Sequence, residues 1–123
     1  MGNYKRLEVW EMAKSLAIDV YSLTFEGNLS KDFSYLDQIR RSAISIPSNI
    51  AEGEESGFDK LGVRYFYNAK ASLAELNTQL FIANKIQYIT DSTYKARVEQ
   101  IESILKMLRK LIDYRIKYNK SGK

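Results

Sequence analysis

The sequence predicts an all-α fold, an antiparallel up-down-up-down four-helix bundle with a proline kink in the second helix. Three observations lead there. Apolar residues recur in a sustained 3-4 step through four segments, the pattern of helices packed at shallow angles. Turn-like clusters of only a few residues separate the segments, which forces consecutive helices to run antiparallel. One Pro and six Gly leave too few turns for an all-β sandwich. At 123 residues, with 45% hydrophobic side chains, the chain fits a single domain spanning 1–123 and is too apolar for a disordered one.

The first helix is predicted over about Lys5–Phe25, where Val9, Ala13, Leu16, Val20 and Leu23 step 4-3-4-3. Gly27-Asn28 then supply the left-handed positions that favour a helix end. The second runs over about Lys31–Ser56, with Ser30 as N-cap, Asp32 in the first turn, and a stripe of Leu36, Ile39, Ala43, Ile46 and Ile50. Pro47 lies inside that stripe and lacks the N–H that would bond the carbonyl of Ala43. Because the apolar register passes it without a slip, a kink is expected rather than a break. The third helix covers about Asp59–Ile89, with Phe66, Ala69, Leu73, Leu76, Leu80 and Ala83 as its stripe. The fourth follows the capping residues Thr90-Asp91-Ser92 and continues to about Asn119, with Tyr94, Val98, Ile101, Leu105, Leu108 and Ile112 in line. The tail Lys120–Lys123 is expected to fray.

Composition closes several chemistries. With no His and no Cys, the chain has no imidazole base, no thiolate nucleophile and none of the usual zinc, haem or iron–sulfur ligand sets. It contains no glycine-rich phosphate loop and no EF-hand spacing. No serine sits in a motif that would mark it as a nucleophile. Glu52, Glu54 and Glu55 invite a hard-cation reading, but no Asp/Asn spacing completes a cage, so they read as a solvated helix end marked by Gly53 and Gly57. The chain is therefore expected to be no enzyme and to need no cofactor and no metal. The first 20 residues carry Lys5, Arg6, Glu8, Glu11, Lys14 and Asp19, which excludes a secretory apolar segment there. No stretch reaches the ~20 apolar residues of a membrane span. A cytoplasmic protein with no membrane contact is expected.

Two helix faces carry more than a core. Measured from Val98 at 100° per residue, the apolar residues of the fourth helix span about 220–360°, and Arg97 and Arg115 project into that arc at about 260°. Phe81, Ile82 and Ile86 likewise lie off the third helix's stripe. This surplus predicts a second contact, most simply another subunit. On the second helix Gln38, Arg41, Ser45, Ser48, Asn49 and Glu52 form a polar ladder beside the stripe, suited first to an inter-helix or inter-subunit hydrogen-bond network and otherwise to facing a ligand.

Charge is uneven. The formal net charge of +4 divides into −1 for residues 1–29, −2 for 30–58, +2 for 59–89 and +5 for 90–123. From Lys106 onward seven basic residues face only Asp113. Lys106, Arg109, Lys110, Lys117 and Lys120 share one arc of the last helix and are the candidate nucleic-acid contacts. Interleaved acids on that arc, Glu99 and Glu102 among them, equally fit a solvated face. Tyr114 and Tyr118 offer rings for base stacking or for helix packing.

Leu7-Glu8-Val9-Trp10, the run from Gln38 to Gly53 containing Ile46-Pro47-Ser48-Asn49-Ile50-Ala51-Glu52-Gly53, and Ala69–Leu76 followed by Gln79-Leu80 carry a resemblance. Nearly the whole chain resembles the bacterial four-helix-bundle family named after open reading frames in intervening sequences of 23S ribosomal RNA, also labelled S23 ribosomal protein. The resemblance implies antiparallel bundles associated as homopentameric barrels. A relative, the accessory variability protein of diversity-generating retroelements, is a basic pentamer that binds nucleic acid and the reverse transcriptase. Arg41, Asn49 and Glu52 match the family string, which brings no catalytic role. Two functions are thus expected: binding of structured RNA or other nucleic acid through basic helix surfaces, or a scaffold that holds a protein partner.

Overall fold

The computed structural model describes residues 7–56 and 60–122, with side chains described as far as residue 117. The expected helix start at Lys5 and the punctuation at Gly57 lie outside what is described; the last helix runs on past the expected end near Asn119 to Gly122, so of the tail expected to fray only Lys123 lies outside. Among the described residues four α-helices appear: α1 Glu8–Leu23, α2 Phe33–Glu55, α3 Lys60–Lys85 and α4 Asp91–Gly122, with a short 3-10 helix Gly27–Lys31 between α1 and α2. Each helix packs on its neighbours in sequence, and α4 returns to α1, so the bundle closes as a ring of four.

The 3-4 stripes become the core. All six stripe residues of α3, from Phe66 to Ala83, are fully buried, as are Ile39, Ala43, Ile46 and Ile50 of α2. In α4 the core line turns slightly from the expected one. Ile101, Ile104, Leu108 and Ile112 are buried, whereas Tyr94, Val98 and Leu105 are half-buried at the flank. α2 passes Pro47 as one unbroken helix with Pro47 buried, so no restart occurs there. Nearby carbonyls receive side-chain bonds: Ser45 Oγ donates to the carbonyl of Ser42 at 2.9 Å, and Asn49 Nδ2 to that of Ser45 at 2.8 Å.

The start of α2 differs from expectation. Gly27 has φ +56, and the 3-10 helix that follows occupies residues expected to open α2 while burying Leu29 completely. Ser30 is spent within it, its hydroxyl donating to the carbonyl of Gly27 at 2.6 Å. The N-cap is Asp32, whose Oδ1 accepts from the backbone N–H of Tyr35 at 3.2 Å. Asp32 Oδ2 also accepts from the Tyr88 hydroxyl at 2.7 Å, and the Tyr35 hydroxyl donates to the carbonyl of Gln79 at 2.6 Å. One carboxylate thus ties the α2 entry to the α3–α4 turn. Asp32→Ala should cost about 2 kcal/mol of unfolding free energy in urea, a cap plus a charge-assisted hydrogen bond, against a few tenths for Ser30→Ala.

The same corner sets an alkaline limit. The bond to Asp32, with burial, raises the Tyr88 pKa; burial first, then the Asp32 charge, raises that of Tyr35. Folded tyrosines that hold their protons more tightly than unfolded ones stabilise the fold fully below the ordinary value of 10.0 and lose that contribution as pH rises through the folded pKa. Stability should fall above that pH, and less steeply in Tyr88→Phe.

α3 ends at Lys85, before the expected Ile89, because Gln87 takes φ +67 and the Tyr88 N–H bonds back to the carbonyl of Ala83 at 2.7 Å. Thr90 then caps α4, its Oγ1 accepting from the N–H of Thr93 at 3.2 Å. No helix among the described residues is long and apolar enough to cross a membrane.

Candidate nucleic-acid interface

With the inner side of α4 committed to the core, all but two of its described charged side chains, Arg97 and Arg115, are exposed. Lys106, Arg109, Lys110 and Lys117 are all exposed. Lys106, Arg109 and Lys110 enter no ion pair among the described residues. Glu99, Glu102 and Asp113 are exposed on the same helix. The side chain of Lys120 lies outside the described residues. The two arginines expected in the apolar arc are placed differently from these. Arg97 reaches Asp19 of α1 at 3.6 Å, and Asp19 also accepts from Gln100 Nε2 at 3.0 Å. Arg115 is 4% exposed, ion-paired with Glu54 and stacked 5.1 Å from the Phe66 ring centre.

That pairing corrects the reading of the acidic trio. Glu52 and Glu55 are exposed, but Glu54 is drawn into the bundle by Arg115 and is no solvated helix end. Among the described residues no group of three or more acidic, His or Cys side chains is placed to hold a metal.

The α2 ladder divides. Ser45 is half-buried and hydrogen-bonds Ser72 of α3 across 2.6 Å. Asn49 is half-buried against the Ser45 carbonyl. Gln38, Arg41, Ser48 and Glu52 are exposed, and Arg41 pairs with Asp37 of its own helix at 3.1 Å. The structure brings together Ser45 and Asn49 and leaves the other four facing outward.

The apolar surplus is redistributed too. The flank of α4 is covered within the chain, with Leu105, Leu111 and Ile116 packed against the core. Phe81 and Ile82 on α3 and Ile86 just past its end stay 43–50% exposed. A groove between α1 and α2, about 640 Å³, is lined by Trp10, Ile18, Tyr21, Phe25, Ile44 and Pro47. Two of its lining rings, Tyr21 and Phe25, are stacked by the guanidinium of Arg40, whose Nε donates to Thr24 Oγ1 at 2.8 Å.

Sequence reasoning missed the contribution of α3. Arg64 and Tyr67 are exposed and Lys70 half-buried with its Nζ 5.9 Å from the Tyr67 ring centre. The signal was the i, i+3 step of Arg64, Tyr67 and Lys70, which places a ring between two cations along one helix edge.

A family model described as 23S rRNA-intervening sequence protein matches residues 5–110. The fold is similar to the crystal structure of a protein with unknown function from the S23 ribosomal protein family of Bacteroides thetaiotaomicron. That similarity has a TM-score of 0.77 at 25% sequence identity and covers 85% of this chain and 97% of the other. Among curated proteins none matches.

Proposed function

Starting from a chain that belongs to the 23S rRNA-intervening sequence protein family, we propose that it is a non-enzymatic cytoplasmic bundle that binds structured RNA through the outer face of α4. One observation carries the reading: Lys106, Arg109 and Lys110 stand exposed, with no ion pair among the described residues to neutralise them. Cations with no internal partner are the groups a phosphate backbone engages, releasing its condensed counterions as it binds. In this reading the bundle works as a homopentamer, and assembly repeats the basic face in every subunit. The exposed apolar groove of α1 and α2 supports association of this kind.

Retention of a structured RNA should weaken steeply with salt, with a slope of log K against log salt near −3 for about four phosphate contacts. Reversing Lys106, Arg109, Lys110 and Lys117 together to Glu should lower affinity at least tenfold and flatten that slope, with the helical circular dichroism unchanged. RNA retention that ignores salt, or no retention at low ionic strength, would sink the reading. Light scattering with and without RNA measures the assembly, and a strict monomer would remove the amplified surface.

The second reading is a scaffold for a protein partner, favoured by that same groove with Phe25 71% and Ile18 57% exposed. A stoichiometric protein that stays bound through nuclease treatment and high salt would select it.

A further inference from the structure

We propose that Tyr67 of α3 is a stacking platform for an unpaired base, so that the RNA recognised is single-stranded or looped and not continuous duplex. The proposal rests on the nucleic-acid reading of α4 and names the ligand class for that site.

The placement follows from two contacts. Arg115 stacks on Phe66 near one end of the α3–α4 seam, and Phe81 meets Tyr94 at 6.1 Å near the other. Antiparallel packing between these contacts sets Tyr67 level with about residue 114 of α4 and Lys70 level with about residue 109. Tyr67 follows the fully buried Phe66 and is turned about 100° from it, out of the core. Phe81 fixes which edge of α3 faces α4, and Tyr67 lies about 40° further out from that edge. On α4, Tyr94 marks the edge facing α3, and Arg109 falls about 60° outward from it. The exposed ring of Tyr67 therefore lies on the α4 side of α3's outer face, and the guanidinium of Arg109 lies on the α3 side of α4, level with Lys70 and about one turn along from the ring.

Chemistry supplies the rest. Burial of an aromatic ring stabilises a fold, yet Tyr67 leaves 47% of its surface in solvent. Lys70 stands over the ring, exposed Arg64 lies one turn before it, and Lys106 and Lys110 continue the cations across α4. A π-face among cations matches a nucleotide: the ring takes the base and the cations take the phosphates on either side. Duplex RNA keeps its base faces stacked inside and offers only phosphates and grooves to such a surface.

The test compares an oligouridylate with a blunt RNA duplex, each against the full chain at fixed salt. Tyr67→Ala should weaken oligouridylate binding about 5- to 150-fold, the range for losing one base–aromatic stack, and leave duplex binding within twofold or so. Tyr67→Phe, which keeps the ring and drops the hydroxyl, should retain wild-type affinity. Tyr114→Ala is the control, an equally exposed tyrosine (50%) on the side of α4 away from α3. Equal losses on both ligands, or a loss in Tyr114→Ala in place of Tyr67→Ala, would overturn the platform. If Tyr67→Ala is silent while the four-site α4 reversal still abolishes binding, the platform fails and the basic face stands. If the wild-type chain binds neither ligand, the nucleic-acid reading itself fails.

Discussion

Arg115→Met is expected to cost about 3 kcal/mol of stability, read as a lower urea midpoint at unchanged slope. The reason is the partner left behind. Arg115 and Glu54 have side chains only 5% and 16% exposed, so both charges have left most of their water. Their attraction, together with the guanidinium against Phe66, offsets that desolvation while both are present. Methionine keeps the apolar contact with Phe66 but leaves the Glu54 carboxylate desolvated and without its cation. The pair itself is worth little net, which gives the sharper half of the prediction. A double variant, Glu54→Met with Arg115→Met, should recover most of the loss, because two methionines of similar volume bring no charge into the bundle. Equal destabilisation of single and double variants would show that packing, not the orphaned carboxylate, sets the cost.

This pair also shows where the sequence stopped being readable. Helical arithmetic places Arg115 inside the apolar arc of α4 without reference to any other helix. Glu54 lies 61 residues away, and its place depends on how α2 and α4 are set relative to each other. A period in one helix holds no record of that. The same limit explains the rest. Stripes such as Phe66–Ala83 were legible because a 3-4 step fixes a face whatever the face meets. The N-cap was not: Ser30 and Asp32 are both good caps, and the choice fell to the 3-10 turn and to a hydroxyl from Tyr88. The outward turn of Lys106, Arg109 and Lys110 followed from the core stripe beside them. The proposed place of α3's Tyr67 near them depends on the register of two helices, which neither period holds. Exposed apolar residues were foreseen on α3 at Phe81, Ile82 and Ile86, but the groove of α1 and α2 arises from two half-stripes that read separately as ordinary core flanks.

Gly53 gives the second large effect, and it runs against helix propensity. In sequence Gly53 reads as a helix terminator, yet α2 continues past it to Glu55 and buries it. At an ordinary helix interior, Gly→Ala stabilises by about 1 kcal/mol. Here an added Cβ would stand 2.4 and 2.7 Å from two ring carbons of Phe66 and 2.9 Å from the carbonyl oxygen of Gly62. Neither neighbour yields easily. The Phe66 ring is fully buried with Arg115 stacked on it, and Gly62 presents backbone. Admitting the methyl therefore means separating α2 from α3 at Gly53 and Gly62 or displacing the ring and the ion pair with it. Overpacking of this kind costs more than propensity returns, so Gly53→Ala should lose about 2 kcal/mol net and lower Tm by roughly 8 °C. The two scans are compared at one protein concentration, since assembly shifts Tm by mass action. A cycle separates the causes: with Phe66→Leu already in place, the same Gly53→Ala change should cost about half as much, the ring clash being gone and the carbonyl contact remaining. A Gly53→Ala variant more stable than the wild type would mean that α2 and α3 stand further apart here than a glycine requires.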